Sequence, residues 1–252
     1  MFTDWIAYFW PQIITPWMLS EGIFNLPWFF VVLQVLRPLG MFGALVVVEI
    51  ATALVVLALC KRLGLTTWRT VMVMLSPPVL VCLVLGQIDG MLLVAYLVPA
   101  WLSVPLAIVK PQAAVAACLR SLHVERDGLR VNRRAWIVAV ALVVSAFLVW
   151  GWPFACRFDR PGGPVGGWTW SYWPWGMLLA VELSLFGGLP GRLFASPHFF
   201  KYANMQSMIG PMLYAATLPG WTFVLIWIGA WISWIGKVDF VDHLLSSVSA
   251  GF

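Results

Sequence analysis

The longest intervals between successive Lys or Arg residues set the terms for this chain. From Lys201 to Lys237 run 35 residues without a charge, and from Arg69 to Lys110 run 40 whose only charge is Asp89. Three further intervals repeat the pattern: 23 residues between Arg37 and Lys61 with Glu49 alone, 22 between Arg134 and Arg157 with none, and 31 between Arg160 and Arg192 with Glu182 alone. A bilayer crossing takes about 20 mostly apolar residues, so these intervals hold one or two spans each and about seven in all. The chain is 62% hydrophobic and 10% charged, which excludes an ordinary soluble domain. Runs such as ALVVVEIATALVVLALC lack the two-residue alternation of a membrane barrel. The fold class expected is therefore all-α: a polytopic helical membrane protein forming a single membrane domain over residues 1 to 252.

Eight of the fifteen basic residues lie in two short stretches, Lys61 to Arg69 and Arg120 to Arg134. Basic residues clustered in short loops set orientation, so both stretches are expected on the cytoplasmic face. Residues 70 to 86 and 91 to 118 then form a hairpin with its tip at Gln87-Ile88-Asp89-Gly90. Residues 136 to 153 cross outward, and the Gly-, Pro- and Trp-rich stretch 154 to 172 reads as an external interfacial loop. Residues 173 to 187 return, and 205 to 236 form a last hairpin turning at Pro219-Gly220. Transmembrane helices thus fill residues 41 to 236, and 237 to 252 form a cytoplasmic tail. Ahead of them, two juxtamembrane helices, 5 to 19 and 24 to 36, are expected in the external interface. The net charge of +5 belongs to orientation; with no soluble basic domain to carry it, nucleic-acid binding is not expected. No cleavable signal peptide is expected either, because Asp4, Trp5 and Tyr8 interrupt what would be its apolar core.

Ionisable residues within spans are costly and face a partner or a cavity. Glu49 in VVVEIAT and Glu182 in LAVELSLF each fit a buried interhelical hydrogen bond or a polar cleft. Asp89 sits in LGQIDGM, where Gly86 and Gly90 loosen the helix and Gln87 adds an amide, so it is a loop tip or the lining of a cleft. Lys110, in LAIVKPQ, either snorkels to the surface or meets an anionic group, while Pro111 frees backbone carbonyls that only a protein interior tolerates. Asp4, in DWIAY, is a polar residue near a chain end or a general base. Cys60, Cys82, Cys118 and Cys156 read as small core residues. His123, His198 and His243 lack metal-ligand spacing, and no cofactor is expected.

The order of the short motifs carries more than any one of them. DWIAY, Gly22 with Leu26-Pro27-Trp28, Arg37-Pro38-Leu39, LSPPVLVCLVLGQIDGMLL and LAIVKPQ together resemble the integral-membrane glycosyltransferases of the GT-C superfamily, in particular the polyprenyl-phosphate-mannose-dependent branch. The resemblance covers about the first 120 residues; relative to that family the sequence reads as shortened, with no span ahead of Asp4. It implies transfer of a sugar, mannose in that branch, from a polyprenyl-phosphate donor to an acceptor on the external side of the bacterial plasma membrane, with the C-terminus cytoplasmic. Asp4 would match the catalytic base, and Tyr8, Gln87, Asp89, Lys110 and Gln112 would match positions that bind substrate. The alternative is a non-catalytic subunit that keeps the scaffold and packs against other membrane proteins.

Overall fold

The structure is a computed structural model and describes residues 5–16, 27–125, 128–150, 170–172, 174–200 and 203–237. It is helical, as the charge-free intervals require. The addition is one short antiparallel hairpin, β1 (Leu122–Glu125) and β2 (Gly128–Val131), paired from Leu122 with Val131 to Glu125 with Gly128. It falls between two apolar stretches, where the charged loop was expected.

The chain enters the described region as a π-helical turn, Trp5–Phe9, followed by α1 (Trp10–Ile14). Helix α2 (Trp28–Leu33) passes through a 3-10 segment, Gln34–Leu39, into α3 (Gly40–Arg62). Together these form a helix of 35 residues, Trp28–Arg62, containing an 18-residue stretch with a mean hydropathy of 2.6. Residues 28 to 36 thus run on into α3 within one helix, where a separate interfacial helix over 24 to 36 was expected. The 3-10 segment accommodates Pro38, and Gly40, at φ 70°, takes up the change of backbone course that joins it to α3. Trp5, ahead of it, is fully buried, with its indole N–H donating to the Met41 carbonyl (3.0 Å).

Trp28–Arg62 and α9 (Arg133–Trp150) are the two described helices long and apolar enough to cross a membrane. A bent pair, α4 (Thr67–Met74) and α5 (Pro77–Leu85), makes a third if its 46° break lies within one span. Both long helices turn apolar surface outward: Phe42, Val46, Ile50 and Leu54 on α3, and Ile137, Val140, Val144 and Leu148 on α9, are exposed. Their inner faces are packed, with Leu45, Val48, Val56 and Leu59 on α3 and Ala135, Ala139 and Ala146 on α9 buried. A helix apolar on both faces belongs in a large core or in lipid.

The two helices run antiparallel, as interactions at each end show. At one end Trp28 donates to Ser145 Oγ (2.8 Å) and stands edge-on to Trp150, whose own indole donates to the Pro16 carbonyl (2.8 Å). At the other, Arg62 donates to the Tyr96 carbonyl (3.4 Å) and Arg120 to the neighbouring Ala95 carbonyl (3.0 Å); Ser121, next to Arg120, accepts from the Asn132 amide at the start of α9 (2.8 Å). The basic ends of both helices therefore lie together, the arrangement that short basic loops on one membrane face produce.

Between them the chain is broken into short pieces. Residues 91 to 118 do not make the single crossing expected from their hydropathy. After α6 (Asp89–Leu92) and the 3-10 turn Leu93–Tyr96, the chain reverses into α7 (Ala100–Ala107), then reverses again into α8 (Pro111–Ala114) and the 3-10 segment Val115–Ser121. Ser103 fixes this triple pass by donating to the carbonyls of both Ala95 (2.6 Å) and Ala117 (3.1 Å). The prolines at 99 and 111 account for the breaks: each removes a backbone donor and disfavours helix in the residue before it, whereas Pro105 is carried inside α7. Irregular backbone of this kind is tolerated at membrane depth where protein surrounds it.

The remaining described helices are α10 (Trp175–Phe186), α11 (Gly188–His198), α12 (Ile209–Ala215) and α13 (Gly220–Lys237). Gly210 brings α12 so close to α11 that a Cβ there would collide with the Leu193 carbonyl oxygen, whereas Gly229 on α13 has open space around it. Gly210→Ala is expected to lower the thermal midpoint in detergent by roughly 3–10 °C, the effect of overpacking against backbone. Gly229→Ala is expected to leave it unchanged or raise it slightly; equal midpoints for the two variants would refute the close approach.

Candidate functional site

The turn at Gly86 is set by local chemistry. Pro77 and Pro78 open α5, where missing amide donors cost nothing. Gly86 closes it in the left-handed conformation, φ 68°, with its N–H on the Leu83 carbonyl (3.1 Å) and the Gln87 N–H on the Cys82 carbonyl (2.8 Å). This is a Schellman cap, which glycine alone adopts without strain. Trp5 lies directly over it: a Cβ on Gly86 would sit 2.6 Å from the Trp5 Cβ. The cap sends the chain into Gln87 and then Asp89, the first residue of α6. Gly90 follows, and a Cβ there would collide with Thr52 of α3. The DWIAY segment, the GQID turn and the middle of α3 are therefore in contact.

Lys110 arrives from the opposite direction. Pro111 holds the residue before it out of the helical region, and Lys110 is extended, φ −142° and ψ 87°, at the reversal between α7 and α8. There its ammonium forms an ion pair with Asp89 Oδ2 and donates to Gln87 Oε1 (3.3 Å). Ser207, in the 3-10 turn Met205–Met208 ahead of α12, donates to the other carboxylate oxygen, Asp89 Oδ1 (2.6 Å). Asp89 is 1% exposed and the Lys110 side chain 13%.

Three chain segments thus meet at one charge pair inside an apolar body. Both oxygens of Asp89 are engaged, so the carboxylate anchors the lysine and is not free to act as a base. The lysine is the accessible member, with an N–H left over after its two bonds. Thr52 Oγ1 and Gln112 Oε1 are buried polar atoms without a partner among the described residues; such atoms are rare in folded proteins.

Of the residues singled out in the sequence, Gln87, Asp89 and Lys110 are brought together. Gln112 is two residues beyond Lys110 on α8 and Tyr8 is exposed on the π-helical turn; neither bonds to the pair. Asp4 lies outside the described residues, as do Cys156, His243 and most of the 154 to 172 loop. Glu49 is half-buried on α3, one turn from Thr52, while Glu182 is exposed on α10, in place of the buried hydrogen bond considered for it. Cys60, Cys82 and Cys118 are buried free thiols within the apolar core. Sequence reasoning missed Ser207. The available signal was the polar pair Gln206-Ser207 within a charge-free interval, and both residues are buried.

His198, at the end of α11, is a separate buried group. Its Nδ1 accepts from the Tyr172 amide (3.4 Å), its ring lies between Tyr172 and Phe194, and its Nε2 has no partner among the described residues.

Comparison with protein-family models, curated proteins and solved structures gives no match to this chain.

One outcome is expected from this geometry. Lys110→Met leaves Asp89 buried without its cation and should cost about 3–5 kcal/mol of stability. The double variant Lys110→Met/Asp89→Asn should recover a large part of that loss in thermal unfolding; a double variant as unstable as the sum of its parts would show that the pair does not interact.

Proposed function

We propose that the chain is a membrane glycosyltransferase-like protein that transfers a sugar, mannose by resemblance, from a polyprenyl-phosphate donor to an acceptor on the external face. The observation that carries this reading is the contact between motifs that the resemblance put forward as separate pieces. GQID and KPQ lie 21 residues apart from Asp89 to Lys110 in sequence, yet Lys110 joins both Gln87 and Asp89, with Trp5 of DWIAY seated on Gly86.

In this reading Lys110, a compact point charge held at the edge of the pair, faces the donor phosphate. Gln87 and Asp89 keep the ammonium in place, and Tyr8 and Gln112 contribute to the same cleft. Asp4 removes the proton from the acceptor hydroxyl. The acceptor oxygen then bonds to the anomeric carbon as the bond from that carbon to the phosphate oxygen breaks, and the electron pair leaves with polyprenyl phosphate, inverting the centre. Residues 41 to 236 lie in the membrane as about seven passages, several of them made of paired short helices. The basic ends of α3 and α9 and the C-terminus are cytoplasmic, and the Gly86 turn stands in the external half. No cofactor is invoked.

A specific observation favours the second reading, a non-catalytic subunit of a larger membrane complex. Glu182 is exposed on α10 among exposed Leu178, Leu179, Val181 and Leu185. A carboxylate on such a face is costly in lipid and fits a contact with another membrane protein.

The test is purification in mild detergent followed by incubation with radiolabelled polyprenyl-phosphate mannose. Transfer is expected from the wild type, none from Asp4→Asn, and weakened donor binding from Lys110→Met/Asp89→Asn, which removes the lysine without stranding the carboxylate. Wild-type turnover by Asp4→Asn would remove that residue from the mechanism. Stoichiometric co-purification of other membrane proteins with no transfer would favour the subunit.

A further inference from the structure

A second polar cluster lies at the basic end of α3, away from the Asp89 and Lys110 pair, which stands beside the middle of that helix. Arg62 closes α3, Arg120 ends the 3-10 segment Val115–Ser121, and Arg192 lies on α11. The side chains of Arg62 and Arg120 converge on the dipeptide Ala95-Tyr96, while Arg192 meets Tyr96 through its backbone carbonyl and lies close enough for its charge to act on Arg120. Arg120 donates to the Ala95 carbonyl (3.0 Å) and Arg62 to the Tyr96 carbonyl (3.4 Å), while the Tyr96 hydroxyl donates to the Arg192 carbonyl (2.9 Å) and pairs with Ser196 Oγ (2.7 Å) one turn further along α11. Arg192 itself donates through Nε to the Ser184 carbonyl (3.2 Å). Each guanidinium therefore spends a single N–H on the protein, and every acceptor is a neutral backbone carbonyl. Among the described residues no carboxylate pairs with any of the three.

This arrangement is unfavourable in an isolated chain. Like charges repel most where water is partly excluded, and Arg120 and Arg192 are half-buried. The repulsion registers on Arg120, whose pKa is lowered first by burial and then by Arg62 and Arg192. Elsewhere the fold treats basic residues differently. Lys110 is paired with an acid, and Arg69 lies over the Trp68 ring while donating to the Ala216 carbonyl (2.6 Å). The unused forked donors suit an oxyanion with several acceptor oxygens, which arginine recognises through paired N–H bonds.

We propose that Arg62, Arg120 and Arg192 form a binding site for a phosphate group, filled by the headgroup of an anionic phospholipid. Position decides for the lipid. The site is at the end of the Trp28–Arg62 helix, beside the start of α9, where a crossing helix meets the headgroups. The anion bridges three chain segments, α3, the end of the triple pass and α11, and so fastens the broken central helices to a complete one. This inference does not depend on the sugar-transfer reading.

The experiment uses the full chain in detergent at fixed ionic strength, titrated with phosphatidylglycerol, with phosphatidylcholine, and with inorganic phosphate, reading the thermal midpoint and the lipid retained in native mass spectrometry. The expected result is a saturable rise in midpoint with phosphatidylglycerol and none with phosphatidylcholine. Affinity should fall at least about tenfold in Arg62→Gln/Arg120→Gln, the loss of two charge-assisted contacts. Lys61→Gln, exposed next to Arg62, removes the same kind of charge from the same face and should change affinity less than about twofold. Should Arg120→Gln fail to fold, Arg62→Gln alone, at an exposed position with one long bond, carries the comparison. Saturation by inorganic phosphate at comparable concentration would keep the phosphate site and overturn its lipid occupant. An equal loss in Lys61→Gln, or no saturable binding of either anion, would overturn the site.

Discussion

The pairing of Asp89 with Lys110 is the constraint on which the centre of this protein depends. A charge held within an apolar helical body is tolerated when its opposite charge and its hydrogen bonds are supplied, and here every contribution comes from a different place in the chain. Asp89 is delivered by the Gly86 cap, Lys110 by the reversal before Pro111, and Ser207 by the turn ahead of α12. Satisfying the pair therefore fixes where three reversals stand relative to one another. Hydrophobic packing alone does not do this, because in lipid one apolar face is about as good as another and association falls to close packing and polar contacts. The glycines complete the argument. At 86 and 90 the chain passes so close to Trp5 and Thr52 that a side chain would hold the segments apart, and the pair would not close.

Around this centre the structure divides its labour by helix length. Trp28–Arg62 and α9 are long and turn apolar surface outward, while the short helices between them surround the polar pair. The division follows from backbone chemistry. A helix satisfies its own amides and carbonyls and can face lipid, whereas the reversals near 97 to 99 and 108 to 111 leave backbone groups that protein neighbours must satisfy. Ser103 does so for two passes at once by reaching both Ala95 and Ala117. Tyr96, Arg62 and Arg120 do the same near the basic end, where side-chain donors replace the missing helical ones.

What the sequence made legible follows the same division. The helical class and the apolar stretches could be read from charge-free intervals, and the grouping of basic residues matched the end where Arg62 and Arg120 meet. The triple pass over 89 to 121 was not legible, since hydropathy reports whether a residue is apolar and not which way the chain runs. Its prolines were the available signal, and only Pro111 was weighed. The same limit applied to Trp5, whose type suits an interface as well as a core; Gly86, which admits it, is remote in sequence. Gln87, Asp89 and Lys110 stood out because polar residues are scarce in their intervals. Ser207 did not, since an isolated hydroxyl in an apolar run is ordinary until its acceptor is known.

The two polar clusters differ in a way that bears on what each is for. At the Gly86 turn the charges are balanced: one acid meets one base, and both oxygens of the acid are taken. A balanced site costs little to leave empty, so in the proposed sugar-transfer reading a donor phosphate must compete with Asp89 for Lys110 and gains only from what the pair leaves unsatisfied. In that reading this favours reversible engagement, because an interaction too strong in the bound state slows the step that follows it. At Ala95-Tyr96 the charges are unbalanced: Arg62 and Arg120 donate to neutral carbonyls there, and Arg192, close enough to act on Arg120, donates to the neutral Ser184 carbonyl. The proposed anion there would relieve repulsion as well as form bonds, which favours a resident occupant. The fold thus sets a neutral pair suited to exchange beside the middle of α3 and a positive cluster suited to retention at its basic end.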